Sequence, residues 1–386
     1  MSQAIDLRCD ALVVGAGPAG TSIALRLARR GANVVVMERA RLPRTKVCGE
    51  YLSPATLDSL SDLGLLDTVR TQAHELATLR MAGFGIGPVA MRLPGFGGLA
   101  IARARFDMLL ADAAVKAGAR LIAGTFVSAS ETGQDVDVSF RDEAGGTRHI
   151  RAAVLVGADG SWSTVAQHCG MADRQRRGGR WAVGGHLRTP SDGDAVEMFV
   201  GPAGYYARNP LGGGLTNAML VMPRPLLDDE AETAARRLSD GRYGFQADAL
   251  VRRVAVGPLR YRARAAARGR VVLAGDAAEL FDPFLGQGIA FALGLSGAAA
   301  ETAARLIAGE RASEAVREYR TARDAAARSV RVMARAVDAL LRIRWLRGRA
   351  ARKLARHPEL ADQLLAAVAG SAPNSRRLAL AWDLIA

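Results

Sequence analysis

The sequence predicts an α/β fold in which a parallel-sheet domain is interleaved with a mostly antiparallel sheet domain and followed by a helical C-terminal region. Three observations predict it. A strand–turn–helix–strand pattern opens the chain, and short alternating runs separated by Gly, Pro and Asp turns fill residues 181–221. A core strand then returns at residues 270–274, before helices rich in alanine and arginine. Because the first pattern resumes after the second, the domains are interleaved rather than consecutive.

The 386-residue chain exceeds the usual size of one domain. We divide it where the pattern changes, with a first domain at residues 1–75, 101–178 and 268–330. A second domain takes residues 76–100 and 179–267, and the C-terminal helices take residues 331–386. No run of about 20 apolar residues is free of charge, so no membrane-spanning helix is predicted. Asp6, Arg8 and Asp10, which lead into the first strand, do not fit a signal peptide.

The net charge of +14 comes from arginine, since the sequence has lysine only at positions 46, 116 and 353. Such a bias, with abundant Ala and Gly, is typical of genome composition. No stacking-aromatic or groove-reading motif accompanies it, so nucleic acid is not an expected partner. Attraction to an anionic cofactor or to a membrane surface stays open. Three cysteines at unrelated spacings indicate neither a disulfide framework nor a metal site, and they favour a reducing cytoplasm.

The first strand ends in a glycine-rich turn with the spacing Gly15-x-Gly17-x-x-Gly20. Gly15 permits the tight turn, Gly17 lets the backbone approach a pyrophosphate, and Gly20 lets the following helix pack on the sheet. Glu38 ends the next strand, roughly 20 residues further on, where an acid accepts hydrogen bonds from a ribose 2′-hydroxyl. The pattern predicts a site for FAD or NAD rather than NADP. Its expected contacts also include Pro18, Ala19 and Arg39.

Two later strands end in acidic turns, at Asp159-Gly160 and at Gly275-Asp276. With the N-terminal turn, they make residues 8–330 resemble the para-hydroxybenzoate hydroxylase fold of FAD-dependent enzymes, which has a Rossmann-type FAD-binding domain. The resemblance implies that Asp159 and Gly160 lie near the FAD pyrophosphate and the nicotinamide path. It also implies that Asp276 binds the ribityl hydroxyls. Arg103, in a segment similar to the family's Arg-x-x-(Phe/Leu)-Asp, is expected to contact FAD.

The loop at residues 283–289 is glycine-rich and leads into a helix. Its backbone N–H groups are expected to face the N1–C2=O edge of the flavin, where negative charge collects on reduction. The expected contacts here are Gly275, Pro283, Gly286, Gln287, Gly288 and Ile289. No second GxGxxG is present, so no separate NAD(P)H domain is predicted. Either NAD(P)H docks transiently, as the resemblance implies, or an external electron donor reduces the flavin.

The loop Pro43-Arg44-Thr45-Lys46-Val47-Cys48-Gly49 resembles the Pro-x-x-Lys-x-Cys-Gly loop of geranylgeranyl reductase-like flavoproteins. The resemblance implies that Cys48 and Gly49 lie close to the flavin and the substrate. A thiol there can donate a proton while flavin N5 delivers hydride to a C=C bond. Lys46 would lower the pKa of that thiol or hold an anionic group. Cys48 and Lys46 are therefore the catalytic candidates, and both are also counted as cofactor contacts.

Residues 204–214 take the place of the Tyr-x-Trp-x-Phe-Pro motif of prenyl reductases. We match Tyr206 and Pro210 to its Tyr and Pro, with Arg208 and Asn209 replacing Trp and Phe. The match predicts a more polar wall, which argues against a fully hydrocarbon substrate. The tryptophan-rich signature of flavin halogenases is missing. The predicted substrate-pocket residues are Tyr51, His186, Tyr206, Arg208 and Pro210.

Apolar residues recur at helical spacing from Val330 to Trp345, surrounded by arginines. Such a helix either covers the FAD domain or the substrate cavity, which we favour, or lies on an anionic membrane.

The sequence therefore predicts an FAD-dependent oxidoreductase acting on a small, largely hydrophobic molecule of aromatic, polyketide-like or isoprenoid type. The fold resemblance slightly favours a monooxygenase that uses NAD(P)H and O2. The Cys48 loop favours a C=C reductase of the geranylgeranyl reductase type. A third alternative is an electron-transfer flavoprotein that relays electrons to a quinone or to a partner protein. In each case the substrate pocket is expected between the two domains.

Overall fold

The computed structural model describes residues 6–83, 86–95, 97–173, 179–189, 193–226, 228–245 and 250–368. Two large β-sheets form the frame of the molecule, and most of the helices pack around the first sheet. This architecture confirms the predicted fold class of an α/β domain with an inserted, mostly antiparallel sheet and C-terminal helices.

The strands are β1 (Leu7–Val14), β2 (Val34–Glu38), β3 (Tyr51–Leu52), β4 (His74–Leu76), β5 (Thr78–Gly83), β6 (Ile86–Arg92), β7 (Gly98–Ala100), β8 (Arg120–Ala123), β9 (Thr125–Thr132), β10 (Asp135–Arg141), β11 (Thr147–Gly157), β12 (Trp181–Arg188), β13 (Ala195–Val200), β14 (Tyr205–Gly212), β15 (Leu215–Met222), β16 (Leu250–Val256), β17 (Tyr261–Arg262), β18 (Ala267–Arg268), β19 (Val271–Leu273) and β20 (Glu279–Leu280). The helices are α1 (Pro18–Ala28), α2 (Pro54–Asp62), α3 (Leu66–Arg70), α4 (Arg103–Lys116), α5 (Thr164–His168), α6 (Asp228–Leu238), α7 (Gly288–Gly294), α8 (Ser296–Ile307), α9 (Ala312–Arg342), α10 (Arg344–Arg356) and α11 (Pro358–Val368).

The first sheet has the strand order β18-β19-β11-β1-β2-β8, and β19, β11, β1, β2 and β8 run parallel. The second halves of its central strands are apolar and buried, at residues 11–14 in β1 and 154–156 in β11, as is usual in parallel sheets. The carboxyl ends of β1, β11 and β19 lie side by side. Three turns that are far apart in the sequence, at Gly15, Asp159 and Asp276, therefore meet at one edge of the sheet.

The second sheet has the strand order β16-β12-β15-β14-β13-β5-β6 and is antiparallel except where β13 pairs with β5. One of its faces is packed against α6. The other face turns toward the carboxyl edge of the first sheet. Because side chains alternate along a strand, each strand of this sheet divides its residues between those two faces.

In the C-terminal region as far as Val368, the predicted helices are α9, α10 and α11. The apolar repeat predicted from Val330 to Trp345 spans two of them, because α9 ends at Arg342 and α10 begins at Arg344. Met333 is buried, whereas Trp345 is 65% exposed. The side chains of Val337, Leu340 and Leu341, which belong to the predicted repeat, lie outside the described part of the chain. In the ranges given above, no helix combines the length and the apolar character needed to cross a membrane.

Candidate active site

A cavity of about 250 Å3 lies between the carboxyl edge of the first sheet and the inner face of the second. Glycines and four charged residues, Lys46, Glu50, Arg103 and Asp276, line the end next to the first sheet. The opposite end is walled by aliphatic and aromatic side chains. The cavity thus joins a polar cradle to an apolar chamber.

The turn after β1 requires glycine, because backbone carbonyl oxygens lie where the Cβ of another residue would stand. Gly15 has φ +108°, and a Cβ there would stand 2.3 Å from the carbonyl oxygen of Ala158. A Cβ on Gly20 would stand 2.0 Å from the carbonyl oxygen of Gly15. A Cβ on Gly17 would meet only the Arg44 guanidinium, at 3.6 Å. The backbone at the start of α1, with Pro18 and Ala19, lines the cavity with little above Gly17, as a pyrophosphate site at a helix N-terminus requires.

The carboxylate of Glu38 is buried beside this turn. It accepts hydrogen bonds from the backbone N–H groups of Ala16, at 2.9 Å, and Ala40, at 3.0 Å. Arg44 pairs with Glu38 at 3.3 Å and with Asp107 at 3.6 Å. The buried Nε of Arg44 has no hydrogen-bond partner among the residues described, so a ligand oxygen would satisfy it.

Arg39 was the predicted contact here, whereas Arg44 was not predicted. Arg39 is exposed beyond the end of β2; neither arginine lines the cavity, but the Arg44 guanidinium lies next to Gly17, which does. Arg44 comes two residues before Lys46 in the same loop. Nothing in its local pattern separates it from the other arginines of an arginine-rich chain. Its position depends on its contacts with Glu38 at the end of β2 and Asp107 on α4.

The two motif aspartates have different surroundings. Asp159 accepts hydrogen bonds from the hydroxyls of Ser163, at 2.5 Å, and Thr164, at 2.8 Å, and from the backbone N–H of Thr164 at 2.7 Å. It therefore caps the start of α5, and the adjacent Gly160 is what lines the cavity. Asp276 lines the cavity itself, and its carboxylate makes no hydrogen bond within the described ranges. Asp276 is the one available to a ligand.

Lys46 lies in the cradle and not at the thiol of Cys48. A Cβ built on Gly160 would be 3.2 Å from its Nζ. Burial lowers the pKa of Lys46, and the charge of Asp276 partly offsets that effect. Lys46 is therefore placed to meet an anionic group of a bound cofactor, the second of the two roles predicted for it.

Arg103 is the cation that contacts Cys48. Its guanidinium binds Asp107 in a bidentate arrangement at 3.0 and 3.1 Å, and it also hydrogen-bonds the Cys48 sulfur. Burial by itself would lower the pKa of Arg103, but the Asp107 and Cys48 charges outweigh it and raise that pKa. Arg103 therefore supplies the positive charge beside the thiol that was predicted for Lys46.

Glu50 is a further residue that the sequence analysis missed. Only 3% of it is exposed, and it has φ +54°, a conformation that non-glycine residues seldom adopt. Its Oε1 accepts from the backbone N–H of Arg103 at 2.8 Å, and its Oε2 lies 2.7 Å from His186 Nε2. Its own N–H donates to Cys48 Sγ at 3.3 Å. His186, predicted as a pocket residue, does not line the cavity and reaches it through Glu50.

Two asparagines of the second sheet hold this loop in place. Asn209 Nδ2 donates to the carbonyl oxygens of Gly49 and Glu50, both at 3.0 Å. Asn217 Nδ2 donates to the carbonyl oxygen of Cys48 at 2.7 Å. The loop that carries Cys48 is therefore bonded to both sheets.

The predicted polar wall, Tyr206 and Arg208, lies on the face of β14 that points away from the cavity. Tyr206 is fully buried on the α6 side with its hydroxyl on Gly244, and Arg208 pairs with Glu197 and stacks on Tyr243. Pro210 does not line the cavity either. The cavity side of this strand is formed by Tyr205, Ala207 and Asn209.

The predicted alignment of the motif tyrosine with the sequence is wrong by one residue. Counting back from Pro210, the Tyr, Trp and Phe positions of the motif fall on 205, 207 and 209, so Tyr205 and not Tyr206 is the matching tyrosine. A slip of one residue moves every side chain to the other face of a strand. Tyr205 donates its hydroxyl to Asp282 at 3.0 Å and packs edge-on against Phe284. The wall that faces the cavity is thus largely apolar.

The glycine-rich loop before α7 closes the cradle. Pro283, Gly286, Gly288 and Ile289 line the cavity, as does Tyr51. The side chain of Gln287 instead donates to the carbonyl oxygen of Val368 at 2.7 Å. Leu365 and Val368 of α11 complete the apolar chamber, so the C-terminal region covers the cavity. The predicted contact to Gln287 is therefore replaced by a contact that anchors the covering helix.

These residues fit FAD. The cradle offers an open glycine turn for a pyrophosphate and Glu38 for a ribose. The unsatisfied Nε of Arg44, the unbonded carboxylate of Asp276 and the buried amino group of Lys46 are the polar groups that a ligand would complete.

The comparisons with known proteins agree with this geometry. A family model described as an FAD binding domain matches residues 8–334. The chain is similar to the menaquinone reductase of Mycolicibacterium smegmatis, with 31% identity over 324 residues that cover 77% of this chain and 76% of that protein. It is also similar to the digeranylgeranylglycerophospholipid reductase of Methanothrix thermoacetophila, with 30% identity over 80% of this chain and 79% of that protein.

Among solved structures, a triple mutant of the flavin-dependent brominase Bmp2 superposes with a TM-score of 0.81 at 18% identity, covering 98% of each chain. At this identity the likeness shows the fold alone. The match of the family model across most of the sequence shows the family. The chain belongs to the FAD-binding family of the para-hydroxybenzoate hydroxylase type and is an FAD-dependent oxidoreductase.

Proposed function

We propose that this protein reduces a carbon–carbon double bond of an apolar, isoprenoid-type substrate. One observation carries the proposal: the apolar chamber opens directly from the loop that holds Cys48 and Glu50. The chamber is lined by Val196, Met198, Met219 and Val221 of the second sheet and by Leu365 of α11. Such a chamber accepts a hydrocarbon chain without leaving buried polar groups unpaired.

When bound, FAD supplies the two electrons and one hydrogen of the reduction as hydride, and a proton must reach the other carbon of the double bond. Cys48 Sγ is the proposed donor of that proton, since it lines the cavity where the cradle and the chamber meet. Arg103 orients the thiol. We assign the return of a proton to the pair of Glu50 and His186, because Glu50 lines the cavity two residues after Cys48 and its carboxylate lies 2.7 Å from His186 Nε2.

Two relatives support a reductase. The curated proteins that match most of this chain include a menaquinone reductase and a digeranylgeranylglycerophospholipid reductase, and their names refer to molecules that carry isoprenoid chains. The slight preference for monooxygenation rested on the fold resemblance, and the polar wall that argued against a fully hydrocarbon substrate faces away from the cavity. We therefore place C=C reduction, of the geranylgeranyl reductase type, above monooxygenation. NAD(P)H remains the proposed electron donor, with an external redox protein as the alternative.

The test begins with the FAD-loaded protein reduced by dithionite without O2, so that no biological electron donor has to be known. It is mixed in detergent with menaquinone bearing an isoprenoid side chain, or with geranylgeraniol. We expect flavin absorbance near 450 nm to return, together with a product heavier by two mass units. In D2O two deuterium atoms should be bound to carbon, because the hydrogen on N5 of a flavin reduced by dithionite also comes from the solvent.

A Cys48→Ser variant tests the proton donor, with Cys169→Ser as the matched control in a half-buried site outside the cavity. Cys48→Ser should slow product formation by about 100-fold, within the range of general-acid contributions, while flavin binding is kept. An oxygenated product that appears only with O2 would favour the monooxygenase. Reoxidation by quinone without any C=C reduction would favour the electron relay.

A further inference from the structure

A second cavity of about 660 Å3 adjoins the active-site cavity. The two cavities share five apolar lining residues, Leu259, Leu280, Phe281, Phe284 and Leu285. The second cavity therefore borders directly on the apolar chamber. The second cavity is formed by residues around β17 and β20 together with one face of α9.

Positive charge is in excess in this second cavity. Among the residues described, its lining includes two carboxylates, Glu279 and Asp282, against five arginines: Arg180, Arg260, Arg262, Arg331 and Arg335. The excess is unusual in a protein interior or cleft, because like charges held together repel each other unless an anion lies among them.

The acidic partners in this cavity are shared among several arginines. Glu279 accepts from Arg331 at 2.6 Å and also contacts Arg323 at 3.2 Å and Arg262 at 3.9 Å. Asp282 pairs with Arg180 at 2.9 Å. Burial lowers the pKa of Arg262, and the neighbouring Arg331 lowers it further. Asp324, outside the cavity lining, pairs with Arg323 at 2.8 Å, Arg331 at 3.3 Å and Arg262 at 3.5 Å. Three carboxylates therefore stand among the five lining arginines and Arg323, which leaves the cluster short of negative charge.

Two of the five arginines have no acidic partner at all in the described part of the chain. Arg260 lies directly before β17, and Arg335 lies on α9 one turn beyond Arg331. Both are exposed at the cavity mouth and make no hydrogen bond or ion pair with a described residue. Their guanidinium groups are free to form paired hydrogen bonds to phosphate oxygens.

We infer that the second cavity is a phosphate-binding site for a ligand whose apolar part occupies the active-site chamber. The positions of the two cavities favour the substrate as the source of the phosphate: the ligand would be an amphipathic lipid with an anionic phosphate headgroup. The phosphate of a nicotinamide dinucleotide is the other source of the same chemistry. The identity of the apolar part rests on the proposed function, whereas the anion site itself does not.

The direct test measures binding of inorganic pyrophosphate to the FAD-loaded protein by calorimetry at low salt, with no turnover needed. The double variant Arg260→Gln/Arg335→Gln removes the two unpaired guanidinium groups and leaves the ion pairs of the fold intact. Arg320→Gln, an exposed arginine of α9 outside the cavity, is the matched control. We expect saturable binding to the wild type, weakened by salt, and a dissociation constant about tenfold higher in the double variant only.

Steady-state kinetics then identify the source of the phosphate. If the headgroup binds here, the KM for an isoprenoid monophosphate should rise about tenfold in the double variant, while the KM for the corresponding alcohol stays unchanged. A rise in the KM for NADPH alone would assign the site to the nucleotide and overturn the substrate assignment. Absence of pyrophosphate binding to the wild type, or equal binding by the double variant, would overturn the anion site. Loss of C=C reduction with intact pyrophosphate binding would count only against the proposed function.

Discussion

At the scale of single residues, two aspartates with the same motif position do different work. The carboxylate of Asp159 caps the start of α5. The carboxylate of Asp276 makes no hydrogen bond with a described residue and lines the cradle. Asp159→Ala should therefore cost about 1 kcal/mol of unfolding free energy, the usual loss when a helix cap is truncated. Asp276→Asn should leave the stability of the apoprotein unchanged and weaken FAD binding about tenfold. Urea denaturation of the apoproteins and fluorescence titration with FAD measure the two effects; the opposite pattern would refute the assignment.

Lys46 gives a prediction about pH. Burial lowers its pKa from the ordinary value of 10.5. Between the lowered pKa and 10.5 the unfolded chain binds more protons than the folded chain, so the stability of the apoprotein rises with pH across that interval. Lys46→Met removes the buried charge. We expect its unfolding free energy to exceed that of the wild type near pH 7 and the difference to shrink toward pH 10.5, while its FAD affinity falls.

Chemical denaturation of the apoprotein at several pH values checks this, with Lys116→Met as the control, because Lys116 is exposed at the end of α4. Parallel stability profiles for wild type and Lys46→Met would mean that Lys46 does not titrate in the fold at a lowered pKa. Lys116→Met should follow the wild-type profile.

The residues that the sequence revealed are those whose local backbone shows their role. Gly15 and Gly20 stand where a Cβ would strike a carbonyl oxygen, and such requirements appear as a spacing of glycines. Glu50 and Arg44 gave no such signal. Their roles come from contacts with Arg103, His186 and Asp107, which are distant in sequence and known only once the chain has folded.

At the scale of elements, the periodicity of a strand is readable but its register is not. The sequence correctly indicated strands across residues 181–221, yet a shift of one residue put Tyr206 and Arg208 on the cavity face in place of Tyr205 and Ala207. Both faces of β14 carry apolar and polar residues, so alternation alone did not decide which side is inward. The face was set by α6, which covers Tyr206, and by the loop that Asn209 holds.

The last described helix covers the apolar chamber, and this gives an element-scale prediction. Leu365 of α11 lines the chamber, so Leu365→Trp should fill space that the substrate needs while leaving the cradle unchanged. We expect FAD affinity within about twofold of the wild type and a loss of substrate turnover of at least about tenfold. Leu360→Trp, on the same helix but outside the cavity lining, is the control. Equal turnover by Leu365→Trp and wild type would place the substrate elsewhere.

At the scale of the whole molecule, one cavity gathers residues from Gly17 to Val368. The FAD cradle belongs to the first sheet, but the loop at residues 46–50 is bonded to Asn209 and Asn217 of the second. A ligand in the cradle therefore stabilises both sheets through that loop. Since FAD binds the folded chain, at 100 times its dissociation constant it should add about 2.7 kcal/mol to the unfolding free energy.

That addition should appear as a rise of several degrees in the midpoint of thermal unfolding, growing with FAD concentration. Asn217→Ala tests the connection between the sheets, because it removes the 2.7 Å hydrogen bond to the Cys48 carbonyl without touching the first sheet. In this variant the second sheet should unfold at a temperature that FAD raises less than in the wild type. Tryptophan fluorescence reports it, since Trp181 lies at the start of β12. An equal FAD-induced shift in Asn217→Ala would mean that the two sheets are coupled by their shared core rather than by the loop.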